Sequence, residues 1–202
     1  MRYSHPSYLL YLWHLSYLSY RMSLSIYLPM LRPYRGRLPV IDPTAYVDPS
    51  AHVIGDVEVG AESSLWMNVV ARGDVHFIRI GRRSNVQDGT IVHVMNETHP
   101  TVIGDDVTIG HGAIVHGCRI EDRVLIGMGA ILLNGVTVGA DSIVAAGSLV
   151  PEGAVIPSRS LAMGRPAKVR RTLSDAEVAS IREYADNYVR YRLDYMTPED
   201  ES

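Results

Sequence analysis

The chain is poor in cysteine. Its 202 residues contain one, Cys118, which rules out an internal disulfide and fits a reducing compartment, so a cytoplasmic location is expected. It also lacks a charge excess. Nineteen Lys and Arg against 22 Asp and Glu leave a net charge of −3, which gives no electrostatic footprint for nucleic acid. No pure apolar run is long enough to span a membrane. The most apolar stretch, SYLLYLWHLSYLSY within Met1–Arg21, is interrupted by Ser and His and carries no small-x-small cleavage site. Through the middle of the chain, the three- and four-residue spacing of an amphipathic helix is absent too. A length of 202 residues and a mass of 22.3 kDa allow one domain with a substantial core.

What the chain has instead is a step of six. Aliphatic residues return at Val47, Val53, Val59 and Leu65, then at Ile80, Val86 and Val92, then at Ile103, Ile109 and Val115. A last run holds phase from Ile120 through Ile126, Leu132, Val138, Val144 and Val150 to Ile156. A six-residue step suits a short strand plus a corner, with the aliphatic turned inward and small residues at the bends. Three such steps make one coil of a triangular prism, a parallel β-helix. The predicted fold class is therefore mainly β, with coils over residues 31–157.

That repeat decides where the histidines point. His93 follows Val92 and His116 follows Val115, so both occupy the same slot. The step from Val92 to Ile103 is eleven residues instead of six, which predicts a loop bulging from a corner around Met95–Pro100. Counting that loop as part of one step, three steps separate the two histidines. Three steps are one coil, so the pair should stack about 4.7–4.9 Å apart at the backbone. Two imidazoles so placed suit one ion, with Zn–N distances of about 2.0–2.1 Å. His111 sits two places after Ile109, on a different face. It reaches such an ion only from a neighbouring chain. The spacing predicts a homotrimer with three equivalent metal sites, each formed by His93 and His116 of one chain and His111 of the next. Cys118 reads as a small buried residue.

The flanks differ from the repeat. Residues 1–30 read as an N-terminal extension without fold, with Met1–Arg21 upstream of a natural start at Met22; an amphipathic membrane anchor is the alternative. Leu31–Thr44, rich in Pro, should run extended and cap the first coil. Residues 158–196 comprise a basic connector, Ser158–Arg171, and a helix from Leu173. Ser174 and Glu177 form a capping box for that helix. Its apolar set includes Val178, Ile181, Tyr188 and Tyr195 at helical spacing. Trp66 and Met67 are expected to pack at the trimer interface, and residues 197–202 to form a disordered tail.

The motifs RGDVHFIRIG (Arg72–Gly81), NVQDGTIVH (Asn85–His93), IGHGAIVHGC (Ile109–Cys118), IGMGAILLNGVTVG (Ile126–Gly139) and MGRPAKVRR (Met163–Arg171) together resemble the γ-class carbonic anhydrase-like branch of hexapeptide-repeat proteins. The resemblance covers roughly Leu31 to Tyr195. It implies a left-handed prism with the C-terminal helix packed alongside. It implies zinc, with Fe(II) or Co(II) equally suited, on His93, His111 and His116 at the subunit interface. Arg72 and Asp74 would form an ion pair that helps the trimer. Asn85 and Gln87 would orient water and substrate, and Tyr188 would lie near the site.

The implied reaction interconverts CO2 and bicarbonate through a metal-bound hydroxide. The chain departs from the archaeal enzymes of this branch at two positions. Val75 and Asn96 stand where they carry glutamates, one of them the proton shuttle, while Glu97 and His99 are nearby but unmatched. Slow proton release and low activity are the expected result. Two other readings share the fold: an acyl-CoA thioesterase or acyltransferase acting on a CoA thioester, and a structural subunit with a vestigial site.

Overall fold

The six-residue step closes into a three-sided prism. The computed structural model describes residues 30–197; the expectations for Met1–Arg21, for a start at Met22 and for residues 198–202 lie outside them. Each face is a ladder of short parallel strands. The first face stacks Tyr46–Val47, Ser64–Leu65, Asn85–Val86, Thr108–Ile109, Leu125–Ile126 and Ile143–Val144. The second stacks Ile91–His93, Ile114–His116, Ile131–Leu132 and Leu149–Val150 beneath the opening residues of His52–Val59 and Val70–Ile80. The third stacks Thr101–Ile103, Arg119–Ile120, Thr137–Val138 and Val155–Ile156 beneath the closing residues of those same two long strands. Met30–Arg32 and Val40–Ile41 pair in parallel with His52–Val59, so the Pro-rich segment covers the open edge of the first coil.

The repeat aliphatics fill the axis. Leu65, Val86, Ile109 and Ile126 beneath the first face are fully buried, as are Val92, Val115 and Leu132 beneath the second. Each contributes about 1.5–3 kcal/mol of transfer free energy, against a backbone ordering cost of about 1–2 kcal/mol per residue. Since only about one residue in three points inward, a single coil cannot stand alone. Stability comes from stacking coil on coil. Ala71 and Ala162 occupy two inward positions that the run of larger aliphatics does not flag.

The corner between the third and first faces carries a ladder of alternating charge. Glu62, Arg83, Asp106, Arg123, Asp141 and Arg159 succeed one another down this edge, all with left-handed φ between 55° and 59°. Arg83 Nε donates to Asp106 at 2.7 Å, Arg123 Nε to Asp141 at 2.7 Å, and Arg159 reaches Asp175 at 2.5 Å. Exposed pairs of this kind are each worth about 0–1 kcal/mol. Their larger effect is on register, because a slip of one coil would place like charges against each other.

The C-terminal helix, Asp175–Met196, starts at the expected capping box, with Ser174 accepting from the Glu177 amide and the Glu177 carboxylate accepting from the Ser174 amide. It lies along the first face. Its buried residues are Ile181, Ala185 and Arg192, so Arg192 turns inward while Tyr184 and Tyr191 stay exposed. Arg192 donates to the Thr44 carbonyl at 2.8 Å and to Glu62 at 3.1 Å, which ties the end of the helix to the first coil.

Two sequence expectations need correction. Trp66 is buried within its own chain, against Tyr46, Tyr188 and Tyr195 with ring centroids 5.0–5.4 Å away, so it anchors the helix and is no intersubunit surface. The coils also continue past residue 157. Ser160–Gly164 adds a parallel rung beside Ile143–Val144 and turns back through Ala167–Thr172 in an antiparallel hairpin. The basic stretch is an edge strand, where charge discourages further pairing.

The three faces differ outside. The first is covered by the helix. The third mixes Glu58, Arg79, Arg119 and Thr137 with aliphatics. The second shows an unbroken outward column of Val70, Ile91, Ile114, Ile131 and Leu149, none of it buried.

The charge ladder makes a prediction. Arg123→Asp should cost about 1–2 kcal/mol in denaturant unfolding, by removing one pair and setting carboxylates in succession, and added salt should shrink the deficit. Hydrogen bonding from Arg123 holds the Asp141 carboxyl below its ordinary 3.8. That contribution is fully present above pH 3.8 and is lost as pH falls through the lowered folded value. The acid limb of stability should therefore flatten in Asp141→Asn.

Candidate metal centre

The corner between the second and third faces holds the first group of candidate residues. His93 and His116 are direct partners on adjacent coils, as the count of steps requires. His93 Nδ1 faces His116 Nε2 at 3.0 Å. Two nitrogens on one tetrahedral zinc stand about 3.4 Å apart, so the pair is near bite distance. The outer nitrogens fix the tautomers. Asp74 Oδ1 lies 3.0 Å from His93 Nε2 and can only accept, so that nitrogen carries the proton. Asn134 Oδ1 lies 2.7 Å from His116 Nδ1 and does the same there. In the neutral rings the two facing nitrogens therefore direct lone pairs at each other. That arrangement repels itself unless a cation or a shared proton lies between, and a divalent ion fits it. Hydrogen-bonded outer nitrogens of this kind are the usual support for imidazole ligands.

Electrostatics keep the pair ready. Burial pushes His93 below its ordinary 6.5, and the charge of Arg72 adds to this against the hydrogen bond to Asp74. Burial works against ionisation of Asp74, but hydrogen bonds from His93 and Arg72 outweigh it and hold the carboxyl low. Arg72 and Asp74 form an ion pair within the chain. Gly117, directly after His116, has φ +56°, and a Cβ there would stand 2.5 Å from Asn134 Oδ1. No other residue leaves room for that amide.

The second group lies on the corner between the first and second faces. His111 Nδ1 is 2.9 Å from Asp88 Oδ2, and both side chains are close to half exposed, at 46% and 44%. Asp88 sits in the same corner slot as His111, one coil earlier, and holding Nδ1 leaves the His111 Nε2 free. Gln87 and Asn85 adjoin it, both buried, with Gln87 Nε2 donating to Asn85 Oδ1 at 3.1 Å. Tyr188 packs edge-on against Trp66. Burial raises its hydroxyl, and the charge of Asp88 adds to the shift.

One chain thus brings His93, His116, Asp74 and Arg72 to one edge, and His111, Asn85, Gln87 and Tyr188 to the other. Among the described residues no three His, Cys, Asp or Glu side chains converge on one point. Cys118 is a buried core residue, and burial pushes its thiol up to about 12.

The bacterial transferase hexapeptide (six repeats) family model matches residues 100–132 and 117–152. The "Probable carbonic anhydrase" of Methanocaldococcus jannaschii is 49% identical over 140 residues, 69% of this chain and 87% of that protein. The chain belongs to the γ-carbonic anhydrase-like family of hexapeptide-repeat proteins. "Gamma carbonic anhydrase 1, mitochondrial" of Arabidopsis thaliana is 45% identical over 157 residues, 75% of this chain but 57% of that relative, so the chain spans little more than half the plant protein's length. A Bacillus cereus crystal structure described as a putative acetyltransferase superposes with a TM-score of 0.80 at 42% identity, covering 83% of this chain and 96% of that one.

For this member of the family, two residues escape a reading by spacing. Asp88 could have been found from its shared slot with His111. Asn134, in the LLNG motif, could not, because its reach to His116 depends on the shortened corner at Gly117. The His93 geometry is testable by NMR titration of the metal-free protein. His93 should titrate below 6.5, and Asp74→Asn, by removing the bond that raises it, should move it lower still. A rise in Asp74→Asn would contradict the assignment.

Proposed function

We propose that the protein is a metal-dependent carbonic anhydrase-like enzyme, active as a homotrimer, that interconverts CO2 and bicarbonate. The observation that carries this reading is the second face. It is the one uncovered aliphatic face among the described residues, and its two edges hold the two complementary halves of a three-histidine site. A cyclic, heterologous association that buries this face sets the His93–His116 edge of one chain against the His111 edge of the next, and three such contacts close a ring.

His93 and His116 would hold the ion from one side and the neighbouring His111 from the other, leaving a fourth position open. A divalent ion there, zinc or equally Fe(II) or Co(II), supplies hydroxide from water at neutral pH. The chain's own residues do the rest. Asp74 and Asn134 hold the imidazoles in the neutral, lone-pair-inward tautomers. Arg72 holds Asp74. Gln87, fixed by Asn85, orients the reacting water beside His111, with Tyr188 closing that edge. Val75 and Asn96 supply no carboxylate at the two positions where archaeal relatives have one, which supports slow proton release and modest turnover. The cytoplasm, or another reducing compartment, suits a chain with one buried thiol.

A second reading, an acyl-CoA thioesterase or acyltransferase, is favoured by one feature. A largely apolar cleft of about 250 Å³ runs from Gln87 past Gly110, Gly127 and Ala145 under Tyr184. Hydrolysis of acyl-CoA without CO2 hydration would select it.

The shared site has a direct test. His111→Ala and His116→Ala trimers should each lose metal and CO2 hydration. Unfolded and refolded together in equal amounts, they should recover about a quarter of wild-type sites, since that share of interfaces pairs two intact halves. No recovery on mixing would contradict the intersubunit site.

A further inference from the structure

We infer that a cavity at the corner between the second and third faces, above His93, binds a small zwitterion, a molecule carrying both an ammonium and a carboxylate. The site goes beyond the activity proposed above and depends on neither the metal nor the reaction.

Three turns stack along this corner. The first is Tyr34–Arg37, a tight hairpin in which Tyr34 and Arg37 exchange backbone hydrogen bonds at 2.9 and 3.0 Å while Arg35 and Gly36 take left-handed φ. The second is a bulge. Gly55 pairs with Gly73 and Val57 with Ile78, so Asp56 stands opposite the four residues Asp74–Phe77. The third is the Met95–His99 turn, tied to the bulge by the Glu97 amide, which donates to the Val75 carbonyl at 3.3 Å. Between them lies a cavity of about 460 Å³, a size that suits a small organic molecule.

Most charges around the cavity are already matched. Asp56 pairs with Arg37 and Arg79, and Asp74 with Arg72 and His93. Two lining charges are not. Arg35, whose guanidinium lies over the Tyr34 ring at 5.3 Å, and Glu97 have no ion pair or side-chain hydrogen bond among the described residues. Arg35 comes from the turn above the bulge and Glu97 from the turn below it. His76, on the bulge itself, adds a donor. Its Nδ1 accepts from the Phe77 amide at 2.9 Å, and an amide N–H only donates, so the neutral ring carries its proton on Nε2. Arg35 and His76 can thus receive a carboxylate, and Glu97 an ammonium. Tyr34 and Val75 line the same cavity and offer apolar surface to the rest of the molecule. A simple anion would meet the Glu97 carboxylate unpaired, and a simple cation would meet Arg35. A ligand with both charges answers both.

The test titrates the full-length protein with L-phenylalanine and L-leucine and follows the backbone amide NMR signals of Val75–Phe77 and Glu97. At least one of the two should bind with a Kd below about 1 mM and shift those signals. The analogues that lack one charge, 3-phenylpropionate and phenethylamine for phenylalanine, 4-methylpentanoate and isoamylamine for leucine, should each bind about tenfold more weakly. Arg35→Gln and Glu97→Gln should each weaken the amino acid about tenfold. Glu97→Gln should leave the carboxylate-only analogue unchanged or tighter, which a merely structural role for Glu97 would not produce. Absence of binding by both amino acids at about 10 mM overturns the proposal. So do analogues that bind as tightly as the parent, variants that bind like wild type, or shifts confined to another part of the molecule. A protein that binds the amino acid as described but does not hydrate CO2 overturns the carbonic anhydrase reading and leaves this site standing.

Discussion

The structure depends on the stacking of one coil upon the next at the spacing of parallel strands. Hydrogen bonds between coils run along the axis, and the inward aliphatics touch mainly their counterparts one coil away. Register is therefore the quantity that matters. A shift of one residue would turn the repeat aliphatics outward, and a shift of one coil would set like charges together down the Glu62–Arg159 edge. The same register brings His93 beneath Arg72 and above His116, and brings Asp88 beside His111. Chemistry and stability are read from the same alignment of rungs.

This arrangement explains why the candidate site is divided. A triangular prism exposes its corners on separate edges, and side chains at two corners of one coil cannot meet. Ligands from both can converge only if two prisms lie side by side. In the proposed assembly, the uncovered aliphatic column between the two corners would supply the reason for them to do so. The helix meanwhile seals the first face through Ile181, Ala185 and Arg192, and through the aromatic contacts of Trp66. Burying Asn85 and Gln87 under it gives the hydrogen bond between them a dry setting.

Much of this was legible in the sequence, and the gaps have physical causes. The prism and the stacking of His93 on His116 follow from counting aliphatics, even across the inserted loop at Met95–Pro100. The rungs at Ala71 and Ala162 were not legible, because alanine carries little periodic signal, and missing the second turned a hairpin into a connector. The charge ladder was invisible because corner residues acquire neighbours only once the coil length is known at each turn. The place of Trp66 was not legible for a related reason: spacing identifies a helix but not the face that it covers. Asn134 depended on a corner that only Gly117 permits.

The most direct test of the divided site is to separate the faces and count the metal. A variant with Ile114→Asp and Ile131→Asp on the outward column should sediment as a folded monomer with an unchanged β-sheet spectrum. Zinc titration of this monomer should find no tight site, whereas the wild-type trimer should take up one ion per chain. A monomer that binds one zinc with wild-type affinity would contradict the account, as would a trimer that binds none.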